Sequence, residues 1–286
     1  MLSIIFALSS YVTTGIGQVF YVMTTRRLGA YSATFWLYFL EALIFSLYLP
    51  FAIADLSNFT LQTSVLIVVL ATVSLVANLC ANTAFQMSNA SIVGTITGSF
   101  PAVTVILSVI FLGEHLTWQQ VIAIGAIFCG LIIANFDFKD MNKALANKAV
   151  WLALVAMVSW GIENIFIKVA IQQVGWFWPL YISVMIWPLI LVYGKLSNKK
   201  LMSFAADRGR TVTVFLASVL LVFGNAAFFL AINYGRASIV APIAGSAPTL
   251  FILLSYIFFK EPLTKQQIVG IVTTLAGIVA LSFLSV

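Results

Sequence analysis

Long apolar stretches separated by short polar breaks follow one another along the whole chain. A helix that crosses a bilayer needs roughly 20 apolar residues. The pattern therefore predicts an all-α integral membrane protein with ten transmembrane helices. The predicted spans are 4–23, 31–53, 61–86, 91–112, 118–136, 149–170, 176–196, 211–233, 238–259 and 265–284.

The second half of the chain repeats the first. At an offset of 147 positions, residues 90–134 match residues 237–281 without a gap, with 19 identities in 45. We therefore predict five-helix repeats over 1–136 and 149–286, joined by a loop at 137–148. Because five crossings are an odd number, the second repeat enters from the opposite side. An inverted repeat is typical of secondary transporters with a substrate site near the midplane.

Local motifs support this alignment. A T-x-x-Q capping box occurs at 117–120 and again at 264–267. Such a box marks a helix N-terminus, so these segments should begin spans five and ten. Glu114 and Glu261 precede the boxes. Both glutamates are interpreted as turn residues that interact with a helix dipole, with a role in transport as the alternative.

The turn LGEHLT at 112–117 recurs as FKEPLT at 259–264, and SWGIENIFIK stands at 159–168. Together with ten spans in a tandem repeat, these motifs resemble the EamA family of the drug/metabolite transporter superfamily. The first repeat departs from the pattern, because TGIGQ at 14–18 lacks the tryptophan and the lysine. The resemblance implies a secondary carrier, often an exporter of amino acids or other small metabolites. It does not identify the substrate.

Charged side chains lie well inside two of the predicted spans: Glu41 in span two, and Glu163 with Lys168 in span six. Glu163 and Lys168 point about 140° apart around an ideal helix. Each therefore needs a partner on another helix or a wet cavity. The functional hypothesis is that a glutamate binds a proton or a substrate amine. The alternatives are a carboxylate bonded between helices and a lysine that snorkels to the interface.

Amides form a second group of candidates. Asn78 and Asn82 lie on one face of span three, and Asn225 repeats Asn78 in span eight. These amides, with Gln18, would line a central cavity or hold helices together. Trp160 is interpreted as an interface anchor or a cavity wall.

Glycine and proline recur at matching places in spans four and nine: Gly98 with Pro101, and Gly245 with Pro248. These residues predict bent or closely packed helices. Matching bends in the two halves of a transporter point to a binding site, and a packing role is the alternative.

Composition limits the class of function. Hydrophobic residues make up 62% of the chain and charged residues 8%, against about 25% charge in soluble domains. The partners expected are the lipid bilayer and a small-molecule substrate, with no nucleic acid, for a monomer or a homodimer.

No ATP-binding, serine-hydrolase or metalloprotease motif occurs, and His115 is the only histidine. The chain is therefore predicted not to be an enzyme and to need no metal or cofactor. The alternative function is a channel or a structural membrane partner.

Basic residues are uneven between the loops. Twelve of the 14 lysines and arginines lie in the loops after spans one, three, five, seven and nine. The positive-inside rule then places both termini outside a cell (inner) membrane. The EamA resemblance implies the opposite orientation, so the sequence leaves both open.

Overall fold

The computed structural model describes residues 1–87, 90–135, 148–260 and 262–285. Every regular element in these residues is helical. Glu261 and residues 137–147 of the predicted linker lie outside them. The α-helices are α1 (Leu2–Ser46), α2 (Leu49–Ala52), α3 (Leu61–Met87), α4 (Ala90–Gly98), α5 (Phe100–Phe111), α6 (Trp118–Asn135), α7 (Lys148–Val174), α8 (Phe177–Met185), α9 (Trp187–Leu196), α10 (Arg208–Tyr234), α11 (Ala237–Ala244), α12 (Ala247–Phe259) and α13 (Lys265–Phe283). Short 3-10 helices follow α2 and precede α10.

The chain is a multi-pass membrane protein. Within the described residues, seven helical stretches are long and apolar enough to cross a bilayer, and the stretches Ile96–Phe111 and Trp118–Ala134 are shorter. Large apolar side chains cover the outer surface, as lipid requires; Leu61 is 82% exposed and Val272 60%. The count of ten spans and their inverted arrangement stay predictions.

The first two predicted spans meet without a loop. The element α1 (Leu2–Ser46) consists of two helices that join at a kink at Gly29, where φ is 74° and ψ is 156°. Gly175, which the repeat aligns with Gly29 at an offset of 146, separates α7 from α8 and has φ 76°. Positive φ costs glycine little because it has no Cβ. The expected polar break between the spans is thus a kink at one residue.

Helix bounds recur at the offset found in the sequence. Helices α3 and α10 begin and end 147 positions apart, and so do the starts of α6 and α13. The packing follows the same relation: α1 packs on α10 while α3 packs on α7, and α1 contacts α12 while α5 contacts α7. Helices of one half therefore find their main partners in the other half.

The helices connect two ends of the molecule. Arg27 lies against Gly209 where α10 begins, and Ser3 lies against Gly235 just after α10 ends. The part of α1 before Gly29 is therefore antiparallel to α10. We call the end with Arg27 and the start of α10 the basic end, and the end with Ser3 and Gly235 the opposite end.

The helices are interrupted where the sequence predicts bends in spans four and nine. Helix α4 ends at Gly98 and α11 ends at Ala244, and the second residue of the next helix is a proline in each case, Pro101 in α5 and Pro248 in α12. A Cβ on Gly245 would clash with the ring of Pro101. Span seven is also broken, at Ile186 between α8 and α9, which was not predicted.

Both capping boxes are confirmed. Thr264 and Gln267 bond each other's backbone amides at the start of α13. Thr117 and Gln120 do the same before α6, at 3.1 and 3.3 Å. Each box satisfies amides that the first helical turn leaves without partners.

Candidate functional site

Six polar side chains from α1, α3, α7 and α10 come together between the two ends of the molecule. We call this group the polar cluster. Its members are Tyr38, Glu41, Ser74, Asn78, Glu163 and Asn225.

Glu41 is the most deeply buried carboxyl group of the cluster, with 5% of its surface exposed. The Asn225 amide donates to Glu41 Oε2 at 3.4 Å. A buried charged or polar group is costly unless it is hydrogen-bonded. This hydrogen bond thus joins two predicted site residues, one from each half of the chain.

Tyr38 lies within electrostatic range of both carboxyl groups of the cluster, Glu41 and Glu163. The Asn78 amide donates to the Tyr38 hydroxyl at 3.1 Å and to the Ser74 carbonyl at 2.8 Å. Glu163 in turn has the Ser74 hydroxyl as a hydrogen-bonding neighbour. The helices α1, α3 and α7 therefore share one polar centre.

A second set of polar contacts extends from the cluster toward the basic end. The Asn82 amide donates to Thr34 Oγ1 at 3.1 Å, and the Tyr21 hydroxyl donates to Asn82 Oδ1 at 3.3 Å. Asn82 and Thr34 also line a small pocket. Other polar groups on that pocket are Tyr31, Thr83, Tyr193 and Lys199. Because Asn78 lies one turn below Asn82 on the same face of α3, the pocket adjoins the cluster.

The remaining candidates lie around this centre. The Trp160 ring packs edge-on against Phe100 at the break between α4 and α5, with centroids 6.1 Å apart. Gly98 faces Pro248 across the bundle, where a Cβ would lie 3.8 Å from the proline ring. Gln18 is half-buried on α1, and within the described residues no hydrogen bond joins it to the cluster.

Lys168 belongs to a separate site, near the opposite end. Its Nζ lies 2.6 Å from Glu114 Oε1 and donates to the Gly235 carbonyl at 2.9 Å. The two charged side chains are 11% and 6% exposed. The sequence spacing predicted that Lys168 needs a partner on another element. That partner is Glu114, in the turn after α5.

Glu114 also caps a helix, but that helix is α11 and not α6, which follows the turn that contains Glu114. Its two carboxylate oxygens accept from the Ala237 and Ser238 amides, each at 2.9 Å, and from the Ser238 hydroxyl. Burial alone would raise the pKa of Glu114. The hydrogen bonds from Lys168 and Ser238 and the charge of Lys168 outweigh burial, so its pKa lies below the ordinary value. The predicted dipole role is therefore exerted on a different helix.

Tyr38, Ser74 and Thr34 were not among the predicted site residues. A helical-spacing signal was present for two of them, since Tyr38 precedes Glu41 by three residues and Ser74 precedes Asn78 by four. Extending the polar face of each helix by one turn would have found them. Thr34 lies one turn further along the same face, four residues before Tyr38.

The chemistry of the polar cluster is that of carboxyl, amide and hydroxyl groups. Ion pairs within the described part of the chain join Lys168 to Glu114 and Arg210 to Asp207. Glu41 and Glu163 have no basic partner there. The described residues also contain no grouping of histidine, cysteine and acidic side chains that could hold a metal. The arrangement can bind a proton, or a cationic group of a solute.

The chain is similar to known proteins over nearly its full length. The EamA-like transporter family matches residues 1–136 and 147–283. A solved structure titled only as the crystal structure of a protein superposes with a TM-score of 0.82 at 11% identity, over 99% of this chain and 97% of the other. At that identity the superposition shows a shared fold and nothing further.

Three curated relatives are more similar in sequence. An uncharacterized protein of Methanocaldococcus jannaschii is 29% identical over 48% of this chain and 97% of its own length. The uncharacterized transporter YvbV of Bacillus subtilis is 25% identical over 62% of this chain. The chloroplastic phosphoenolpyruvate/phosphate translocator 2 of Arabidopsis thaliana is 25% identical over 74%. The chain spans only 58% of each of the last two proteins.

Proposed function

Because the chain belongs to the EamA-like transporter family, we propose that it is a secondary transporter that moves a small organic solute across the cell membrane through the polar cluster. The observation that carries the proposal is the placement of Glu41 and Glu163. They come from different halves of the chain, and both lie within electrostatic range of Tyr38 inside a bundle of membrane-crossing helices. Ionisable groups in that environment are costly and mark solute or ion pathways.

The transport mechanism that we propose is alternating access by two inverted repeats. Helix bounds repeat at a fixed offset and the helices pack in matching pairs across the two halves. If the repeats exchange conformations, the same cluster would face first one side of the membrane and then the other. Breaks in α4/α5 and α11/α12 adjoin each other at Gly245 and Pro101, and they would allow the half-helices to tilt.

The substrate class follows from the charges of the cluster. One relative is named for phosphoenolpyruvate and phosphate, which are anions and require cationic side chains. The cluster as defined contains two carboxyl groups and no basic group. We therefore propose a metabolite with an amino group, such as an amino acid, exported in exchange for protons or for another solute. The carboxyl groups would bind the amine and the proton in turn.

The test is transport by the purified chain in proteoliposomes. Vesicles loaded with one candidate solute are diluted into a trace of its labelled form, and counterflow is followed for amino acids, amines and organic phosphates. We expect saturable uptake of an amino-bearing solute and none of the phosphates. Glu163→Gln removes the ionisable group but keeps the shape, and should reduce flux by at least about tenfold.

Asp207→Asn is the matched control, because it makes the same chemical change at an exposed site where asparagine still caps α10. Its flux should equal that of the wild type. Equal flux in wild type and Glu163→Gln would overturn the role of the cluster. Flux that does not saturate and shows no counterflow would favour the alternative, a channel.

A further inference from the structure

We propose that the ion pair between Lys168 and Glu114 is a latch, which holds the opposite end of the molecule closed and must open when the transporter changes state. The proposal goes beyond the transport of a solute by the polar cluster, and it rests on the alternating-access mechanism. It assigns a conformational role to charged groups that are not part of the cluster.

The first argument is that the pair connects three separate parts of the chain. Lys168 projects from α7, Glu114 lies in the turn between α5 and α6, and the Gly235 carbonyl and the Ser238 amide belong to the segment that begins α11. Nearby, Arg236 donates to the His115 carbonyl at 2.5 Å. Separating α7 from this turn would break all the bonds of Lys168 at once.

The second argument is the position of the pair relative to the cluster. Lys168 follows Glu163 by five residues on α7, roughly 7.5 Å further along the helix axis, toward the opposite end. The pocket beside Asn82 and Thr34 lies on the other side of the cluster, at the basic end. The pocket and the buried ion pair therefore lie on opposite sides of the cluster.

The third argument is that Lys168 has no charged counterpart in the first repeat. In this part of the chain the repeat runs at an offset of 146, and the residue aligned with Lys168 is Val22 on α1, which has no charge. If two inverted repeats exchange conformations, equal repeats would give two equally stable states. A charged pair at one end adds stability to the state in which that end is closed. The latch therefore biases the resting population toward the conformation in the structure.

Lys168→Met is the most informative variant. It removes the ammonium group, while Glu114 keeps its bonds to the backbone and hydroxyl of α11. Glu114→Gln is the second variant, since glutamine also abolishes the ion pair and still has an oxygen that accepts from α11. Arg210→Met removes the exposed pair with Asp207 and is the matched control.

The experiment measures distances between spin labels in the full-length chain, reconstituted in lipid nanodiscs after both free cysteines have been replaced. One label pair, at His115 and Gln172, spans the latch from exposed positions at the opposite end. A second pair, at Met87 and Ser203, spans the basic end. Both pairs are measured in wild type and in each variant, so that the conformation is read without any requirement for flux.

We expect the wild type and Arg210→Met to give one main distance between His115 and Gln172. In Lys168→Met and Glu114→Gln, a longer component should grow from at most about 10% of the population to a major fraction. The distance between Met87 and Ser203 should shorten in the same variants. These opposed changes distinguish release of a latch from general loosening of the fold.

Unchanged distances at the opposite end in a folded variant would overturn the latch. Broadening at both ends together would also overturn it, because it would mean that the pair only stabilises the fold. Since the readout is a distance, the latch is tested even if no solute in the transport panel is carried. A transport failure with the expected distance changes would refute the proposed substrate class and leave the latch standing.

Discussion

The contact between Gly245 and Pro101 allows a sharp test of the packing at the broken helices. The perturbation is Gly245→Ala. The added Cβ would lie closer than 3.0 Å to the Pro101 ring and 2.7 Å from the Ala241 carbonyl oxygen. Ordinary contacts between carbon atoms are about 3.5–4.0 Å, so the proline or the backbone must retreat by at least about 0.5–1 Å.

The magnitude follows from the rigidity of this region. Overpacking of a well-packed core costs about 1–3 kcal/mol, and neither a proline ring nor a carbonyl can rotate away. On the scale of globular domains of similar size, 1 kcal/mol lowers Tm by roughly 2–4 °C. We therefore expect Gly245→Ala to lower Tm by about 2–12 °C.

Gly98→Ala is the matched control, because the repeat aligns Gly98 with Gly245. Here the nearest atom of another element is a Pro248 carbon at 3.8 Å, an ordinary contact. Alanine also favours a helix by about 0.5–1 kcal/mol over glycine, so this variant should be neutral or slightly stabilised. Tryptophan fluorescence during heating in detergent gives Tm for both variants. Equal effects of the two substitutions would refute the reasoning, as would a Gly245→Ala variant as stable as wild type.

Three other predictions follow from local features. Gly29→Ala should destabilise the chain more than Gly98→Ala, because φ of 74° with ψ of 156° is accessible only to glycine; thermal unfolding measures this. Thr264→Ala should cost about 0.5–2 kcal/mol through loss of the capping box, again read as a lower Tm. For Glu114 the pKa is depressed in the folded state, so its stabilisation is present above the unfolded pKa and disappears as pH falls through the folded value. The Tm difference between wild type and Glu114→Gln should therefore be constant between about pH 6 and 8 and shrink below about pH 4.5; a difference that changes near pH 7 would contradict it.

Features with a local cause could be predicted from the sequence. The capping boxes at 117–120 and 264–267 are confirmed, and the helices are also interrupted just before Pro101 and Pro248. All four features depend on residues within one or two turns. The break at Ile186 also has a proline two residues later. It was not predicted, because it lies near the centre of an apolar run that fits one continuous span. The secondary structure of this chain is thus determined largely by residues that are close in sequence.

The candidate site depends on distant residues, and there the sequence was less informative. Glu41 and Asn225 were each singled out as polar groups in apolar spans, but their contact follows only from the packing of α1 on α10. Tyr38 was missed because a phenol ring in an apolar run reads as a hydrophobic residue. Glu114 was assigned to its own turn because nothing local indicates that α11 begins beside it.

The contact between Glu41 and Asn225 has a consequence for the synthesis of the protein. The two residues are 184 positions apart. At a translation rate of 5–20 residues per second, Asn225 leaves the ribosome roughly 10–40 s after Glu41. During that interval Glu41 lacks the Asn225 amide that donates to it in the folded protein. Because a buried polar group without a partner is costly, this part of the polar cluster reaches its final environment only after the second half of the chain has been made.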